Sequence, residues 1–418
     1  MTEPFRHLPN TDLPVFFRPL RGEKYNLYAP GYIVLADAEH FDRFRGEFPF
    51  DMVSLRLKRA AERALRRNVH QEHQPLCLTI YSSLKCNLHC AYCFSAGLKA
   101  PDTTEGFIIK NAAEIIENCK SAGVPFTFVF QGGGEPTLDE RLPYLVKTLR
   151  GMAETAGVAS FAYLTTNGMM SASKAVEIAS LFDEIGLSLD GSTEVQFRQR
   201  CGSDERPERS ARIFKESLEA LKLRMTILRE RINALPDDVL WLCENLCPEE
   251  IRVEPEFFRC QPEDADEFCE AFMKARSLAE EKRTKLIYCG ARINEIHGRY
   301  CQIFRGVRQL IPGDGCSVCF LEGSAEHAEK NGLLLPDDPG ALTDTLKSDD
   351  AACQNCFNRY HCSRGCPDIC PLSGQGDFGS FRCQVNRTLS EWEITRLTEK
   401  YLLPQVHSAG IVGMALYN

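Results

Sequence analysis

Three cysteines stand close together at residues 86–93. Cys86, Cys90 and Cys93 have the spacing C-x3-C-x2-C and follow a short apolar run at residues 76–81. Cysteine thiolates hold iron–sulfur clusters, and a four-iron cube needs four ligands, so three local cysteines leave one iron open to a small molecule. Structural zinc is the alternative, but it usually takes paired C-x2-C motifs, and no matching pair follows within the next hundred residues. The spacing therefore favours an iron–sulfur cluster with an open iron.

The aromatic residue Tyr92 precedes the last of these cysteines. With it, the motif resembles the signature of the radical S-adenosylmethionine (SAM) enzymes. The resemblance implies that SAM chelates the open iron through its amino and carboxylate groups. It also implies that an electron from the cluster splits the sulfonium to give a 5′-deoxyadenosyl radical, which removes a hydrogen atom from a substrate. The protein's own part is to orient the cofactor and to exclude water and stray reductants.

Composition and charge narrow the class of protein. A chain of 418 residues with 44% apolar residues is expected to form two or three domains. The net charge of −9 argues against nucleic acid as a partner, because phosphate binding requires a basic surface. The sequence has no apolar run of 18 residues and no signal layout, so we expect no membrane partner and a cytoplasmic location. Its 20 cysteines then indicate metal and redox chemistry.

From residue 76 onward, short apolar runs alternate with amphipathic stretches. The runs predict strands at 76–81, 126–131, 160–165, 185–189, 223–228 and 251–255. The stretches predict helices at 104–122, 141–156, 172–181, 206–221, 236–246 and 264–282. Six such βα units predict an α/β fold, a partial (β/α)6 barrel over residues 76–283. Ligands of such barrels lie at the carboxyl ends of the strands.

Short motifs follow the second, third and fourth of these strands. Gly132, Gly133 and Gly134 allow close approach of the backbone to a ligand, and Glu135 can accept a hydrogen bond from an ammonium group. This stretch resembles the family's GGEP element, which implies contact with the SAM amino group. Turns after the next two strands resemble those that flank the SAM ribose and methionine, with ordinary turns as the alternative. The residues concerned are Asn167, Ser188 and Asp190.

The stretch at residues 188–200 also resembles a longer family line, S-L-D-G-P-x-x-x-H-D-x-x-R. Arg200 occupies the place of the arginine, where a guanidinium would hold the SAM carboxylate. A surface salt bridge is the alternative. Gln196 and Phe197 stand where anaerobic sulfatase maturases carry His-Asp, and this departure weakens the interpretation as a sulfatase maturase.

A second group of cysteines occupies the C-terminal part of the chain. Its spacing is Cys301-x13-Gly315-x3-Cys319, then Cys353-x2-Cys356-x5-Cys362-x3-Cys366, then Cys383. The pattern resembles the SPASM extension, with one residue missing after the glycine, and a zinc ribbon is the alternative. The resemblance implies a distal auxiliary cluster on Cys353, Cys356, Cys362 and Cys383, and a proximal one on Cys301, Cys319 and Cys366. Cys316 or Cys289 could supply the fourth proximal ligand, or neither, leaving an iron for a substrate thiolate.

The flanking segments complete the predicted organisation. Residues 1–75 carry short β-like runs and a basic helix at 54–67, and their layout resembles winged-helix modules that bind leader peptides; a solvated basic face is the alternative. Strands within residues 25–36 are expected to offer an edge to an extended peptide. Residues 284–390 are assigned to the cysteine-rich SPASM domain, and residues 391–418 to a closing helix and tail.

These features together predict a radical SAM/SPASM maturase that cross-links or oxidises a ribosomally made peptide. The implied cofactors are SAM, a [4Fe-4S] cluster at the SAM site and two auxiliary [4Fe-4S] clusters. The implied partners are a precursor peptide or small protein and an electron donor such as flavodoxin or ferredoxin. The alternatives are a maturase of a folded protein, a cofactor-biosynthesis oxidoreductase or a non-catalytic electron carrier. No paired carboxylates stand out, so no catalytic acid or base is assigned.

Overall fold

A computed structural model shows how these segments are arranged. It describes residues 5–8, 15–29, 31–43, 75–202, 204–256, 259–293, 306–317, 324–330, 356–358, 361–362 and 379–416. The strands are β1 (Arg6–Leu8), β2 (Val15–Leu20), β3 (Lys24–Ala29), β4 (Tyr32–Asp37), β5 (Cys77–Ile80), β6 (Phe126–Phe130), β7 (Ser160–Thr166), β8 (Glu184–Ser188), β9 (Lys222–Ile227), β10 (Glu250–Pro255), β11 (Lys285–Tyr288), β12 (Val307–Ile311), β13 (Gly315–Ser317) and β14 (Ile411–Ala415).

Helices follow most strands of the central part. They are α1 (Ala38–Arg43), α2 (Glu105–Ala122), α3 (Leu142–Thr155), α4 (Ala172–Leu181), α5 (Thr193–Arg200), α6 (Arg206–Ser217), α7 (Leu235–Leu246), α8 (Ala265–Glu281), α9 (Ala325–Lys330), α10 (Phe381–Leu397) and α11 (Leu403–Ala409). Short 3-10 turns occur at Pro136–Leu138, Arg229–Ala234 and Pro262–Asp264. Among the described helices, none is long and apolar enough to cross a membrane.

The larger sheet carries the α/β architecture. Its strand order is β11-β10-β9-β8-β7-β6-β5-β12-β13. Every pairing from β11 to β12 is parallel, whereas β13 runs antiparallel to β12. The six predicted strands are present as β5 to β10, and they follow one another in the predicted order. The expected parallel α/β sheet is confirmed. The described sheet is larger than predicted, because β11 and β12 extend it on both sides.

Strand alternation separates a packed face from a site-facing face. On β6, Phe126, Phe128 and Phe130 are buried, and their ring centroids lie 5.4 and 6.4 Å apart along the strand. On β9 and β10 the apolar positions are likewise buried, while Thr226 and Glu254 on the opposite face are only half-buried. The core is therefore formed between the sheet and its helices, and the other face is left for polar side chains.

The smaller sheet joins the two ends of the described chain. Its order is β1-β2-β3-β4-β14, and all of its pairings are antiparallel. The prediction that strands within residues 25–36 offer a free edge is wrong, because β3 lies inside the sheet and β4 pairs with β14 on its outer side. The predicted basic helix at 54–67 lies outside the described residues.

The C-terminal helix fixes this smaller sheet to the rest of the protein. The predicted closing helix is observed as α10, which begins at Phe381, ahead of the predicted boundary, and is followed by a π-helical turn, Thr398–Leu402. The buried guanidinium of Arg18 on β2 donates to Glu391 Oε1 at 2.8 Å and also to Thr395. Tyr28 and Ile33 pack with Leu402 in one apolar cluster. The sheet and α10 therefore stabilise each other.

Candidate functional site

The cysteine loop begins where β5 ends and packs against two other segments. The amides of His89 and Ala91 donate to the carbonyls of Cys201 and Gln199, both at 3.3 Å, at the end of α5. On its other side, the Gly134 amide donates to the Ser83 carbonyl at 2.8 Å. Cys86, Cys90 and Cys93 are free thiols, and Cys86 and Cys93 are exposed. Backbone contacts rather than disulfides therefore hold this loop.

The glycines after β6 are required by that contact. Gly132 and Gly133 have φ of +63° and +65°, in the region that favours glycine. A Cβ on Gly132 would lie 2.3 Å from the Tyr81 ring, and a Cβ on Gly134 would lie 2.0 Å from the Lys85 carbonyl oxygen. The sequence predicted that this backbone lies close to a ligand. In the structure, the glycines allow it to lie close to the segment that carries the cysteine loop.

The Glu135 carboxylate is buried and surrounded by donors. Its Oε1 accepts from the Thr137 amide at 3.1 Å and from the hydroxyls of Thr137 and Thr166 at 2.7 Å each. Its Oε2 accepts from the Asn167 amide at 2.7 Å. A carboxylate oxygen can accept a second bond, so Oε2 can still take a donor from the adjoining cavity. The sequence identified Glu135 but not the two threonines that orient it.

Asn167 connects the end of β7 to the cysteine loop. Its Nδ2 donates to Asn87 Oδ1 at 2.8 Å and lies 4.0 Å from Cys86 Sγ, while its Oδ1 accepts from the Met169 amide at 2.9 Å. Asn87 Nδ2 in turn donates to the Met169 carbonyl at 3.1 Å. Asn167 is therefore a structural partner of the loop as well as a wall of the cavity.

Asp190 and Arg200 form a buried ion pair and not a surface salt bridge. Arg200 donates from Nε and Nη2 to the two Asp190 oxygens at 2.7 and 2.8 Å. The Tyr92 hydroxyl donates to Asp190 Oδ2 at 3.3 Å, and the Thr226 amide donates to Oδ1 at 2.9 Å. Burial by itself lowers the pKa of Arg200, but the charge of Asp190 outweighs it and raises the pKa. Arg200 therefore stays cationic and oriented.

The departure from the family line at residue 196 has a structural role. Gln196 is fully buried, its Oε1 accepts from the Asp190 amide at 2.8 Å, and its Nε2 donates to the Ser188 carbonyl at 3.0 Å. Gln196 thus fixes the turn that carries Ser188 and Asp190. Phe197 beside it is 58% exposed and takes no part in this contact.

A cavity of about 290 Å³ opens at the carboxyl ends of β5 to β10. The predicted residues that line it are Cys86, Cys90, Tyr92, Cys93, Gly132, Gly133, Gly134, Glu135, Asn167, Ser188 and Arg200. Asp190 is fully buried and does not line the cavity itself, but it contacts the lining residues Arg200, Tyr92 and Thr226. The structure therefore brings together nearly every SAM-site residue that the sequence suggested.

Four further residues that line the same cavity were not identified from the sequence. Thr226 at the end of β9 and Glu254 and Glu256 at the end of β10 line it, as does Thr166 on β7. The only signal in the sequence was their position at the end of predicted strands. Lone carboxylates and threonines at strand ends match no motif, so nothing distinguished them from ordinary turn residues.

The thiols and polar groups of the cavity fit a cluster with SAM on its open iron. Three thiols, an acceptor carboxylate and an oriented guanidinium share one cavity. Burial raises the pKa of the Cys86 thiol and raises that of Cys90 to about 11, with Arg200 opposing the rise at Cys90. Within the described ranges, no three His, Cys, Asp or Glu side chains have the spacing of ligands to a single metal ion. The cysteines of an iron–sulfur cluster need not have that spacing, because each thiolate binds a different iron atom of the cluster.

Part of the second cysteine group can also be placed. Cys362 forms an isolated bridge with Ala291, and its sulfur accepts from Asn386 Nδ2 at 2.9 Å. Asn358 Nδ2 donates to the Asn386 carbonyl at 2.9 Å. These contacts join the neighbourhoods of Cys356, Cys362 and Cys383. Cys301, Cys319, Cys353 and Cys366 lie outside the described residues.

The two candidates for the remaining proximal ligand lie far apart in the strand order. Cys316 is on β13, and its sulfur lies 3.7 Å from Asn111 Oδ1 on α2, in the outer helix layer. Cys289 follows β11, the last strand at the other end of the sheet. Burial, together with the charge of Glu254, raises the pKa of the Cys289 thiol to about 12. Of the two, only Cys289 lies beside a cavity residue.

Comparison with known proteins agrees with this geometry. Residues 80–239 match the family model of the Radical SAM superfamily. No curated protein matches the chain in sequence. Native anSMEcpe with bound AdoMet is similar in structure, at 18% identity over 78% of this chain and 98% of that chain, with a TM-score of 0.59.

Two further solved structures are similar. Native anSMEcpe with bound AdoMet and Cp18Cys peptide has 18% identity, covers 78% of this chain and 98% of that chain, and gives a TM-score of 0.58. Streptococcus suis SuiB bound to precursor peptide SuiA has 16% identity, covers 87% and 95%, and gives a TM-score of 0.48. At the identity of the anSMEcpe structures, the likeness is one of fold. The chain therefore contains a radical SAM domain at residues 80–239, and this family implies a [4Fe-4S] cluster and SAM.

Proposed function

We propose that the chain is a radical SAM/SPASM maturase that modifies a ribosomally made peptide by cross-linking or oxidation. One observation carries the proposal. The three cysteines of the C-x3-C-x2-C motif line a single cavity together with Glu135, Asn167 and Arg200. An electron carrier has no need of such a cavity, whereas a SAM-cleaving enzyme requires one.

Each of these residues has a distinct task. Cys86, Cys90 and Cys93 hold the cluster, which when bound supplies the electron that splits SAM. Glu135 Oε2 accepts from the SAM ammonium group, because Oε1 is already occupied by three donors. Arg200 binds the SAM carboxylate through Nη1, because Nε and Nη2 are used by Asp190.

The second cysteine group supports the SPASM assignment. We assign Cys353, Cys356, Cys362 and Cys383 to a distal cluster, and Cys301, Cys319 and Cys366 to a proximal one. Cys289 completes the proximal set in this proposal, since Cys316 packs against α2. When bound by these residues, an auxiliary cluster would supply an acceptor for the electron that is left over when a substrate radical forms a new bond. A flavodoxin or ferredoxin supplies the first electron.

A peptide substrate is supported by fold likeness and by the site. The similar anSMEcpe was crystallised with a bound peptide as well as AdoMet. The cavity in this chain is lined partly by exposed cysteines, so it opens to the outside at the strand ends. A peptide segment can therefore reach it without rearrangement of the core.

The test is anaerobic co-expression with candidate precursor peptides encoded near the gene, followed by peptide mass spectrometry. We expect a loss of two hydrogens per modification, which is the mass change of a cross-link or a desaturation. A variant with Cys86, Cys90 and Cys93 all changed to alanine should leave the peptide unmodified. An unmodified peptide with the intact enzyme, under conditions in which SAM is cleaved, would count against this substrate class.

A further inference from the structure

Two carboxylates in the cavity have no role in the chemistry described so far. Glu254 and Glu256, at the end of β10, both line it. Both Glu254 oxygens and Glu256 Oε2 are buried and accept no hydrogen bond from an N–H or O–H group of the described residues. Arg382 Nη2 lies 4.0 Å from Glu254, and Arg259 Nη1 lies 3.6 Å from Glu256, beyond hydrogen-bonding distance.

The contrast with Glu135 shows how unusual this is. Glu135 is also buried, yet it accepts four hydrogen bonds from protein donors. The Cys289 thiol lies beside Glu254, and a thiol can donate only a weak hydrogen bond to it. Burial raises the pKa of both Glu254 and Glu256, because enclosure disfavours the charged form. Buried oxygens without donors are costly, so a donor from a ligand would stabilise this wall.

The charges of the cavity indicate what kind of donor fits. Its lining includes three carboxylates, those of Glu135, Glu254 and Glu256, and one guanidinium, that of Arg200. Behind the lining, the charges of Arg382, Arg224 and Arg292 act on Glu254 and that of Arg259 acts on Glu256, without a hydrogen bond to the three oxygens named above. Arg200 is already neutralised by Asp190 behind it. The wall formed by Glu254 and Glu256 is thus complementary to a cation with several N–H donors, and charge-assisted hydrogen bonds are the strongest available to it.

The position of this wall assigns it to the substrate. The cysteine loop follows β5 and Glu135 follows its neighbour β6, whereas β10 lies at the other end of the cavity-forming strands. Glu254 also adjoins Cys289, which lies towards the second cysteine group. From the proposed function, on which this step rests, we infer that Glu254 and Glu256 bind the ammonium or guanidinium group of a basic residue in the substrate peptide.

The first arm of the test asks whether the wall serves SAM or the substrate. Glu254→Gln, Glu256→Gln and the exposed control Glu154→Gln on α3 are reconstituted anaerobically as holoenzymes. Equilibrium dialysis with SAM should give dissociation constants within about threefold of the unmodified enzyme for all of them. A larger loss in either cavity variant would assign the carboxylates to SAM and overturn the inference.

The second arm uses N-acetyl-lysine methylamide, N-acetyl-arginine methylamide and N-acetyl-norleucine methylamide as probes. Saturation-transfer NMR on the SAM-loaded holoenzyme should show a lysine or arginine probe binding about tenfold more tightly than norleucine, the effect of one charged hydrogen bond. Glu154→Gln should keep this preference, and both cavity variants should lose most of it. Equal binding of all three probes, or a preference retained in both cavity variants, would refute the inference.

Reductive SAM cleavage by the same samples distinguishes a failure of the proposed function from a failure of the inferred substrate class. If the unmodified enzyme cleaves SAM but shows no preference for basic probes, the radical chemistry stands and the inferred substrate class falls. If it does not cleave SAM at all, the proposed function itself fails.

Discussion

At the scale of residues, the ion pair between Asp190 and Arg200 is the most demanding contact of the site. Both side chains are almost fully buried, at 0% and 8% exposure. Removing one partner of a buried pair leaves an uncompensated charge, which costs about 3–5 kcal/mol. Asp190→Ala should therefore lower the thermal midpoint by several degrees and weaken SAM binding.

The double variant Asp190→Ala/Arg200→Leu separates these two effects. Because it leaves no buried charge behind, it should recover part of the thermal midpoint while SAM binding stays weak. Differential scanning calorimetry and equilibrium dialysis measure the two quantities. Recovery of SAM binding in the double variant would show that Arg200 does not hold the cofactor.

The glycines offer a second prediction at this scale. Gly134→Ala places a methyl group 2.0 Å from the Lys85 carbonyl oxygen, so the cysteine loop must move. Iron content and visible absorption after anaerobic reconstitution should fall strongly. Gly106→Ala on α2, where a Cβ meets nothing within 4 Å, is the matched control and should leave both unchanged. Normal iron content in Gly134→Ala would show that the loop tolerates the displacement.

Site residues that belong to a sequence motif could be predicted, whereas the residues that hydrogen-bond to them and orient them could not. Arg200 was placed by the family line, but its pairing with Asp190 depends on how α5 folds back over the strand end. Thr137 and Thr166 orient Glu135 through contacts that arise only when two strand ends come together. Glu254 could not be predicted as a cavity residue for the same reason, because contacts between neighbouring strands produce no local sequence motif.

At the scale of elements, helix α5 shows where pattern reasoning fails. Its residues form no apolar stripe, and its buried members include Gln196, Gln199 and Arg200. The helix is instead started by Ser192, whose side chain accepts from the Val195 amide at 3.5 Å. Polar contacts with the site hold this helix, so its sequence carries no amphipathic periodicity from which it could be predicted.

The strand β14 leads to the third prediction. Truncation after Gly410 removes β14 from the smaller sheet but leaves β1 to β4 and the radical SAM domain in place. We expect a lower thermal midpoint with SAM cleavage retained, because β14 contributes nothing to the SAM cavity. The measurements are calorimetry and 5′-deoxyadenosine formation by the truncated protein. Loss of cleavage in a folded truncation would tie the smaller sheet to the site.

Deletion of residues 1–75 should be more damaging than this truncation. It removes Phe16, Tyr28 and Ile33 from the apolar cluster that they share with Ile394 and Leu402 on the C-terminal helices. Exposed apolar surface of this kind favours aggregation. The sequence suggested a separable N-terminal module because chain order cannot show that β14 returns to pair with β4.

At the scale of the whole molecule, the alternation of strands and helices predicted the sheet well. Six short apolar runs between amphipathic helices gave the six strands β5 to β10 in their observed order. The additional strand β11 is only four residues long and β12 pairs with β5 from a distant part of the chain. Their placement depends on long-range pairing, which local periodicity does not encode.

The arrangement of clusters gives a fourth prediction. If Cys289 and not Cys316 completes the proximal set, Cys289→Ala should lose about four of roughly twelve irons per chain, and Cys316→Ala should lose none. Iron analysis after anaerobic reconstitution measures this, with the protein concentration fixed by amino-acid analysis. The reverse result would place the proximal cluster against α2.

The most direct test of the account is reductive cleavage of SAM by the reconstituted enzyme. Under anaerobic reduction, chromatography quantifies 5′-deoxyadenosine formed by the unmodified protein, by Cys86→Ala, Cys90→Ala and Cys93→Ala, and by the exposed-thiol control Cys247→Ser. We expect product from the unmodified protein and the control, and none above background from the three variants, because three thiolates are needed to leave one iron open. Product at the unmodified rate from any of the three would contradict it.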